Sequence, residues 1–177
     1  MRAEDYGKYH DLERYLLEEV QPCFERNLRL SSFDFFCIVI WKANRSKSKI
    51  AKKLLSKGYS DFDSAVAALV LAILSASSNE ERLRVLVSDW TFRLPMASAI
   101  LAILYPSDFT VYDVRVCGIL GDFADAKDKT SFDAMWHDYS EYLEAVRTAV
   151  PQTKNLREKD RFLWGEVLCS SARQRYC

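Results

Sequence analysis

Asp113 is the residue of this chain whose setting most invites chemistry. It follows "LPMASAILAILYPSDFTVY", residues 94–112, in which an almost wholly apolar helix passes a proline turn and a short β-branched segment, then delivers one carboxylate at the start of the next helix. At a helix start the positive end of the peptide dipole and unpaired backbone N–H groups favour the ionised acid. A fixed anion of this kind can stabilise positive charge developing on a substrate and can orient a water molecule. Asp is also among the commonest N-caps, so its type alone fits a purely structural role as well.

A second group of residues is electrostatic. No acid occurs from Phe35 to Ser60, while Lys42, Arg45, Lys47, Lys49, Lys52, Lys53 and Lys57 crowd into that stretch. Between Asp122 and Glu144 acids predominate, among them Asp125, Asp128, Asp133, Asp138 and Glu141. The formal net charge of 0 therefore conceals a basic segment, which can meet phosphate or form a solvated helix face. The acidic stretch reads as solvated surface rather than as an acid/base pair.

Other chemistries are set aside by what the chain lacks. It has no glycine-rich phosphate loop, no H-E-x-x-H and no G-x-S-x-G. Its five cysteines include no C-x-x-C, and its two histidines, His10 and His137, form no ligand-spaced pair. No zinc, iron–sulfur cluster or other cofactor is expected. Cys37, Cys117 and Cys169 lie in apolar surroundings, where a thiol is usually a small core residue, and an odd count fits a reducing compartment. The charged start "MRAEDYGKYHDLERYLLEEV" lacks the apolar core of a signal peptide, and no window approaches the roughly 18 apolar residues of a membrane span. A soluble, cytoplasmic protein with no membrane partner is expected.

The elements that must position these residues are helical. At 177 residues the chain is the size of one domain. Phe62, Ala65, Val66, Leu69, Val70, Ile73 and Leu74 keep the three-four spacing of a helix face, as do Phe132, Met135, Trp136, Tyr139, Leu143 and Val146. The periodicity predicts helices near 9–28, 33–44, 47–57, 61–76, 79–88, 95–105, 113–120, 130–149 and 154–173, a compact all-α fold. Ser31 with Asp34, Ser60 with Asp63 and Thr130 with Asp133 each put a capping hydroxyl three residues before an acid, and Gly58 is a helix stop. The helices 61–76 and 95–105 lack a wide polar face, so both are expected at the centre of the bundle. Phe109-Thr110-Val111-Tyr112 has the composition of a strand but is short and has no partner run.

The order Thr91-Phe92-Arg93-Leu94-Pro95, Met96-Ala97-Ser98-Ala99-Ile100-Leu101, the turn Pro106-Ser107-Asp108, then Val111-Tyr112-Asp113-Val114-Arg115-Val116 resembles the helix-hairpin-helix DNA glycosylases. That superfamily includes endonuclease III and the adenine and alkyl-purine glycosylases. In it, an alanine on the second hairpin helix is followed sixteen residues later by the catalytic aspartate, then by a polar and an aliphatic residue. Ala97 and Asp113 keep this spacing, with Arg115 and Val116 after the acid. "WKAN", residues 41–44, sits where the family has a Ser-Ala-Gln-like motif whose amide enters the gap left by the extruded base, with Asn44 in the amide's place; Asn44 also fits a helix end.

The resemblance implies one helix-hairpin-helix glycosylase-like domain over residues 1–177, two lobes with a cleft, the hairpin and catalytic segment lying at about 88–120. It implies a monofunctional DNA glycosylase that flips out a damaged or modified base and hydrolyses its N-glycosidic bond, leaving an abasic site, in DNA repair or in defence against phage with modified DNA. That bond breaks through an oxocarbenium-like sugar, which a fixed carboxylate stabilises. Asp113 would be catalytic; Asn44, Arg45, Lys47, Lys49, Thr91, Arg93 and Arg115 would contact DNA; Trp41, Lys42 and Tyr112 would surround the extruded base. Backbone N–H groups opening helix 95–105 would meet a phosphate. The partner would be double-stranded DNA, bound by a monomer. A non-catalytic DNA-binding module of the same fold, and a protein interaction domain, are the rivals.

Three departures accompany the match. Thr91 and Arg93 stand where the family's hairpin has glycines, Pro95 stands where bifunctional members have a Schiff-base lysine, and the four-cysteine cluster of some relatives is missing. Without an amine at position 95, lyase chemistry through that position is excluded.

Overall fold

A computed structural model of the chain describes residues 6–121, 123–150 and 155–176, with side chains as far as residue 170. The first five residues, Asp122, residue 154 where the last helix is expected to begin, and Cys177 lie outside them. The described residues hold no strand. The helices are α1 (Leu12–Tyr15), α2 (Gln21–Asn27), α3 (Ser32–Ala43), α4 (Lys47–Leu55), α5 (Phe62–Ser75), α6 (Asn79–Arg84), α7 (Leu94–Leu104), α8 (Val114–Leu120), α9 (Phe132–Ala149) and α10 (Leu156–Tyr176). No helix among the described residues is long and apolar enough to cross a membrane.

The helices fall where the apolar periodicity predicts, with local differences that have physical causes. The expected helix 9–28 begins at Leu12, capped by Asp11, and passes through a π turn, Leu16–Val20, before Pro22. Proline has no N–H for the carbonyl four residues back and its ring crowds that carbonyl, which a wider turn relieves. A second π turn, Val85–Asp89, extends α6. Ser31 caps α3 as expected, accepting the Asp34 N–H at 3.0 Å. The other two caps are displaced by one residue: Asp61, not Ser60, accepts the Ser64 N–H at 2.7 Å, and Ser131, not Thr130, accepts that of Ala134 at 3.1 Å. In both places neighbouring residues can cap, and the one that does so stands directly before the helix in extended conformation. Gly58 ends the α4 segment with φ +88°, as expected of a helix stop.

By its contacts the chain divides into two units, Met1–Phe92 and Arg93–Cys177. In the first, α3 packs on α1, α4 and α5. In the second, α8 packs on α9 and α10, and α7 lies against the 3-10 turn Ala124–Asp128. Within α7 every residue except Pro95 is buried, as expected for 95–105. At about 1.5–3 kcal/mol for each large aliphatic side chain removed from water, this helix is a principal source of stability. The same expectation for 61–76 is corrected: α5 buries Ala65, Val66, Leu69, Val70 and Ile73 but leaves Leu71 66% exposed. Its outward positions are largely small, Ser64, Ala67 and Ser75, so the helix is apolar on average without being enclosed.

Candidate functional site

The segment that carries Asp113 is an extended strap without a strand partner. After α7 the chain turns at Tyr105, whose carbonyl accepts the N–H groups of Asp108 and Phe109 at 3.0 and 3.1 Å. Phe109, Thr110, Val111 and Tyr112 are then all buried, so their backbone polar groups require partners. Side chains supply them. The Ser98 hydroxyl accepts the Tyr112 N–H at 2.9 Å, Tyr139 donates to the Thr110 carbonyl at 2.7 Å, and Tyr142 donates to that of Val111 at 3.1 Å. Two helices, α7 and α9, thus contribute hydroxyls to the strap.

Asp113 follows at the N-cap of α8, with extended backbone, φ −132° and ψ 122°. Its Oδ1 accepts the Arg115 N–H at 3.0 Å, and the residue is half-buried, whereas Val114 and Arg115 beside it are exposed. A carboxylate so held reaches solvent from a rigid base. Tyr112, expected near an extruded base, is fully buried instead; its hydroxyl donates to the carbonyls of Phe123 and Ala124 at 2.6 and 2.9 Å. Burial raises its phenol above the ordinary value. Tyr112 is a strut between the strap and the following loop, and its ring offers no surface to a ligand.

The basic residues form a second cluster, in the first unit. Arg45, Lys47, Lys49 and Lys52 are exposed. Within α4 Lys49 and Lys52, three residues apart, share one face opposite the buried Ile50 and Leu54, and Arg45 lies in the 3-10 turn Asn44–Ser46 just before the helix. Asn44 is exposed where α3 ends, and its Oδ1 accepts from Lys47 Nζ at 3.0 Å. Trp41 and Lys42 are half-buried on the last turn of α3. The cluster is tied to the turn after α6: Lys53 Nζ donates to the Thr91 carbonyl, and Lys57 Nζ lies 5.3 Å from the centre of the Trp90 ring.

Thr91 adopts φ +56°, the left-handed conformation in which glycine is usual and a β-branched residue rare. The Phe92 N–H closes back on the Leu86 carbonyl at 2.9 Å and the Trp90 N–H on that of Val85 at 3.0 Å, a helix end widened by the π turn. Thr91 therefore takes the glycine conformation without being glycine. Arg93, the residue before α7, is exposed with φ −71° and ψ 151°, ordinary for any side chain. The expected phosphate site at the start of α7 is narrower than a free helix end. Pro95 has no N–H, and those of Met96 and Ala97 already bond the Arg93 carbonyl at 2.9 and 3.0 Å. A phosphate there would be met by the amides of Arg93 and Leu94 and the Arg93 side chain.

Trp41, Lys42, Asn44, Arg45, Lys47, Lys49 and Thr91 thus belong to one unit, and Arg93, Tyr112, Asp113 and Arg115 to the other. Two clefts in the first unit, of about 400 Å³ beside Lys8, His10, Arg14 and Glu18 and about 240 Å³ beside Ala72, Ser75, Arg84 and Asp89, include none of them. Sequence reasoning missed Ser98, Tyr139 and Tyr142. The signals were a lone hydroxyl in an apolar helix and two tyrosines three residues apart on a core-facing stripe. It also missed Asp160 of α10, buried and paired with Arg157. No protein-family model, curated protein or solved structure matches the chain.

Proposed function

We propose that the protein is a monofunctional DNA glycosylase of the helix-hairpin-helix type that acts on a flipped-out damaged or modified nucleotide. The observation that carries the reading is Asp113: a half-exposed carboxylate at the end of a buried strap held by Ser98, Tyr139 and Tyr142. Chemistry that stabilises a short-lived sugar cation needs an anion that does not reorganise as charge develops. In the proposed reaction the C1′–N bond breaks with its electron pair leaving on the base, the base takes up a proton, and water adds its hydroxyl to C1′. Asp113 stabilises the sugar cation and orients that water. Lys47, Lys49 and Arg45 hold phosphates, Arg93 and Arg115 contact the DNA backbone, and Asn44 fills the gap in the duplex. Tyr112 has no part in the base pocket.

Support for the hairpin comes from Thr91, which has the left-handed backbone that a glycine would supply there, and from its carbonyl bond to Lys53. Pro95 offers no amine, so the product is a free base and an intact strand with an abasic site. The test is Asp113→Asn assayed on DNAs carrying different modified bases, with alkali to reveal abasic sites. Asn caps helices about as well as Asp, so the variant folds and binds DNA while excision falls by orders of magnitude. A folded variant with normal excision, or wild-type protein that binds DNA but excises no base offered, leaves the non-catalytic DNA-binding module.

A further inference from the structure

We infer that His137, Asp138 and Glu141 on α9 form a surface site for one divalent cation of the zinc type, independent of the proposed DNA chemistry. Their ligand atoms lie within 4.8 Å of one another. His137 and Glu141 are four residues apart, so both project from one helix face, and Nε2 stands 3.6 Å from Oε1. Zinc binds imidazole nitrogen and carboxylate oxygen at about 2.0–2.2 Å, so two donors at that separation fit one ion with a bond angle of roughly 120°, inside the range of tetrahedral sites. That bite is already set, without movement of the helix.

Asp138 supplies the third ligand. Its Oδ2 now bonds Lys129 Nζ at 3.0 Å, so a cation already occupies the place beside this carboxylate. At tetrahedral angles two zinc ligands stand about 3.4–3.6 Å apart, so the Asp138 carboxylate must swing in by about an ångström as it exchanges the ammonium for the metal, within reach of a side-chain rotation. The surroundings favour a cation: Asp133 one turn before His137 and Glu144 further along the same face are both exposed acids. One imidazole among two carboxylates selects zinc, nickel or copper over magnesium or calcium, which take oxygen ligands alone. The sequence has no histidine pair at ligand spacing, and this site needs only one imidazole.

Titration calorimetry with zinc chloride tests the site, comparing the full chain with His137→Ala, Glu141→Gln and Lys129→Ala. The exposed Cys23 and Cys169 and His10 are common to all four proteins and give the same background heat. Both ligand variants should lose one equivalent of zinc binding or weaken it about tenfold or more. Lys129→Ala should tighten it several-fold by freeing Asp138. All of these side chains lie on the surface, so circular dichroism should be unchanged. An isotherm for His137→Ala that superimposes on the wild type overturns the site, and unchanged or weaker binding by Lys129→Ala overturns Asp138 as its third ligand.

Discussion

Ser98, fully buried within α7, accepts the backbone N–H of Tyr112 at 2.9 Å, and the next residue along the chain is Asp113. A hydroxyl in an otherwise apolar helix is costly to bury unless bonded, and here its partner is an equally buried N–H with no strand to pair with. The pair answers why an apolar helix precedes a single carboxylate: α7 is the fixed wall on which the strap is hung.

Ser98→Ala leaves the Tyr112 N–H buried without its acceptor, at a cost of about 1–3 kcal/mol. Urea unfolding followed by circular dichroism should show the midpoint falling with an unchanged denaturant slope. A loss of less than about 0.5 kcal/mol would mean that the strap finds another acceptor.

The two tyrosines that hold the strap predict alkaline sensitivity. Burial raises the phenols of Tyr139 and Tyr142 above the ordinary value of about 10. Above that pH the unfolded chain loses these protons while the folded chain keeps them. The stability they contribute is therefore complete below about pH 10 and is lost as pH rises, by about 1.4 kcal/mol per pH unit for each group. Unfolding free energies measured from pH 9 to 11.5 should fall more gently for a Tyr139→Phe/Tyr142→Phe protein, the remaining slope belonging to groups such as Tyr15 and Tyr112, whose phenols burial also raises. Equal slopes for the two proteins would refute the assignment.

What could be read from the sequence followed the range of the interactions involved. Helices were legible because their apolar periodicity is local, and α7 announced its burial by having no polar side. The caps at Asp61 and Ser131 were off by one because adjacent residues were chemically equivalent choices, separated only by where the helix begins. The role of Asp113 as an N-cap was legible from its place between an extended run and a helix. Its supports were not: Tyr139 and Tyr142 lie 29 and 31 residues from the carbonyls they bond, and Lys53 lies 38 from Thr91. Tyr112 was misread for the same reason, since an aromatic beside an acid looks like a ligand surface until the loop at Phe123 and Ala124 closes over its hydroxyl.

Thr91 offers a test of backbone strain. A β-branched residue at φ +56° is disfavoured by about 1–2 kcal/mol relative to the right-handed region, and glycine escapes this at some entropic cost in the unfolded chain. Thr91→Gly should therefore stabilise the protein by about 0.5–1 kcal/mol. The Lys53 bond is to the backbone carbonyl and survives the change. Thermal and urea unfolding check the sign; destabilisation would show that the threonine side chain contributes more than its conformation costs.

The basic segment makes the most direct prediction about DNA. Lys47, Lys49 and Lys52 are exposed, whereas Lys53 is engaged at the Thr91 carbonyl and Lys57 lies over the Trp90 ring, so the lysines of this segment divide into outward and structural sets. Each outward lysine that meets a phosphate releases about one counterion, which sets the dependence of affinity on salt. Replacing Lys47, Lys49 and Lys52 together with Gln should weaken binding to unrelated duplexes alike and reduce the slope of log affinity against log salt by about 2 to 3. Lys53→Met acts otherwise: it removes a clamp on the turn, so it should lower stability and leave most of the slope in place. Fluorescence anisotropy with labelled duplexes from 50 to about 200 mM salt separates the two outcomes. If the triple variant keeps both affinity and slope, these three lysines do not meet DNA, and the phosphate contacts fall to Arg45, Arg93 and Arg115.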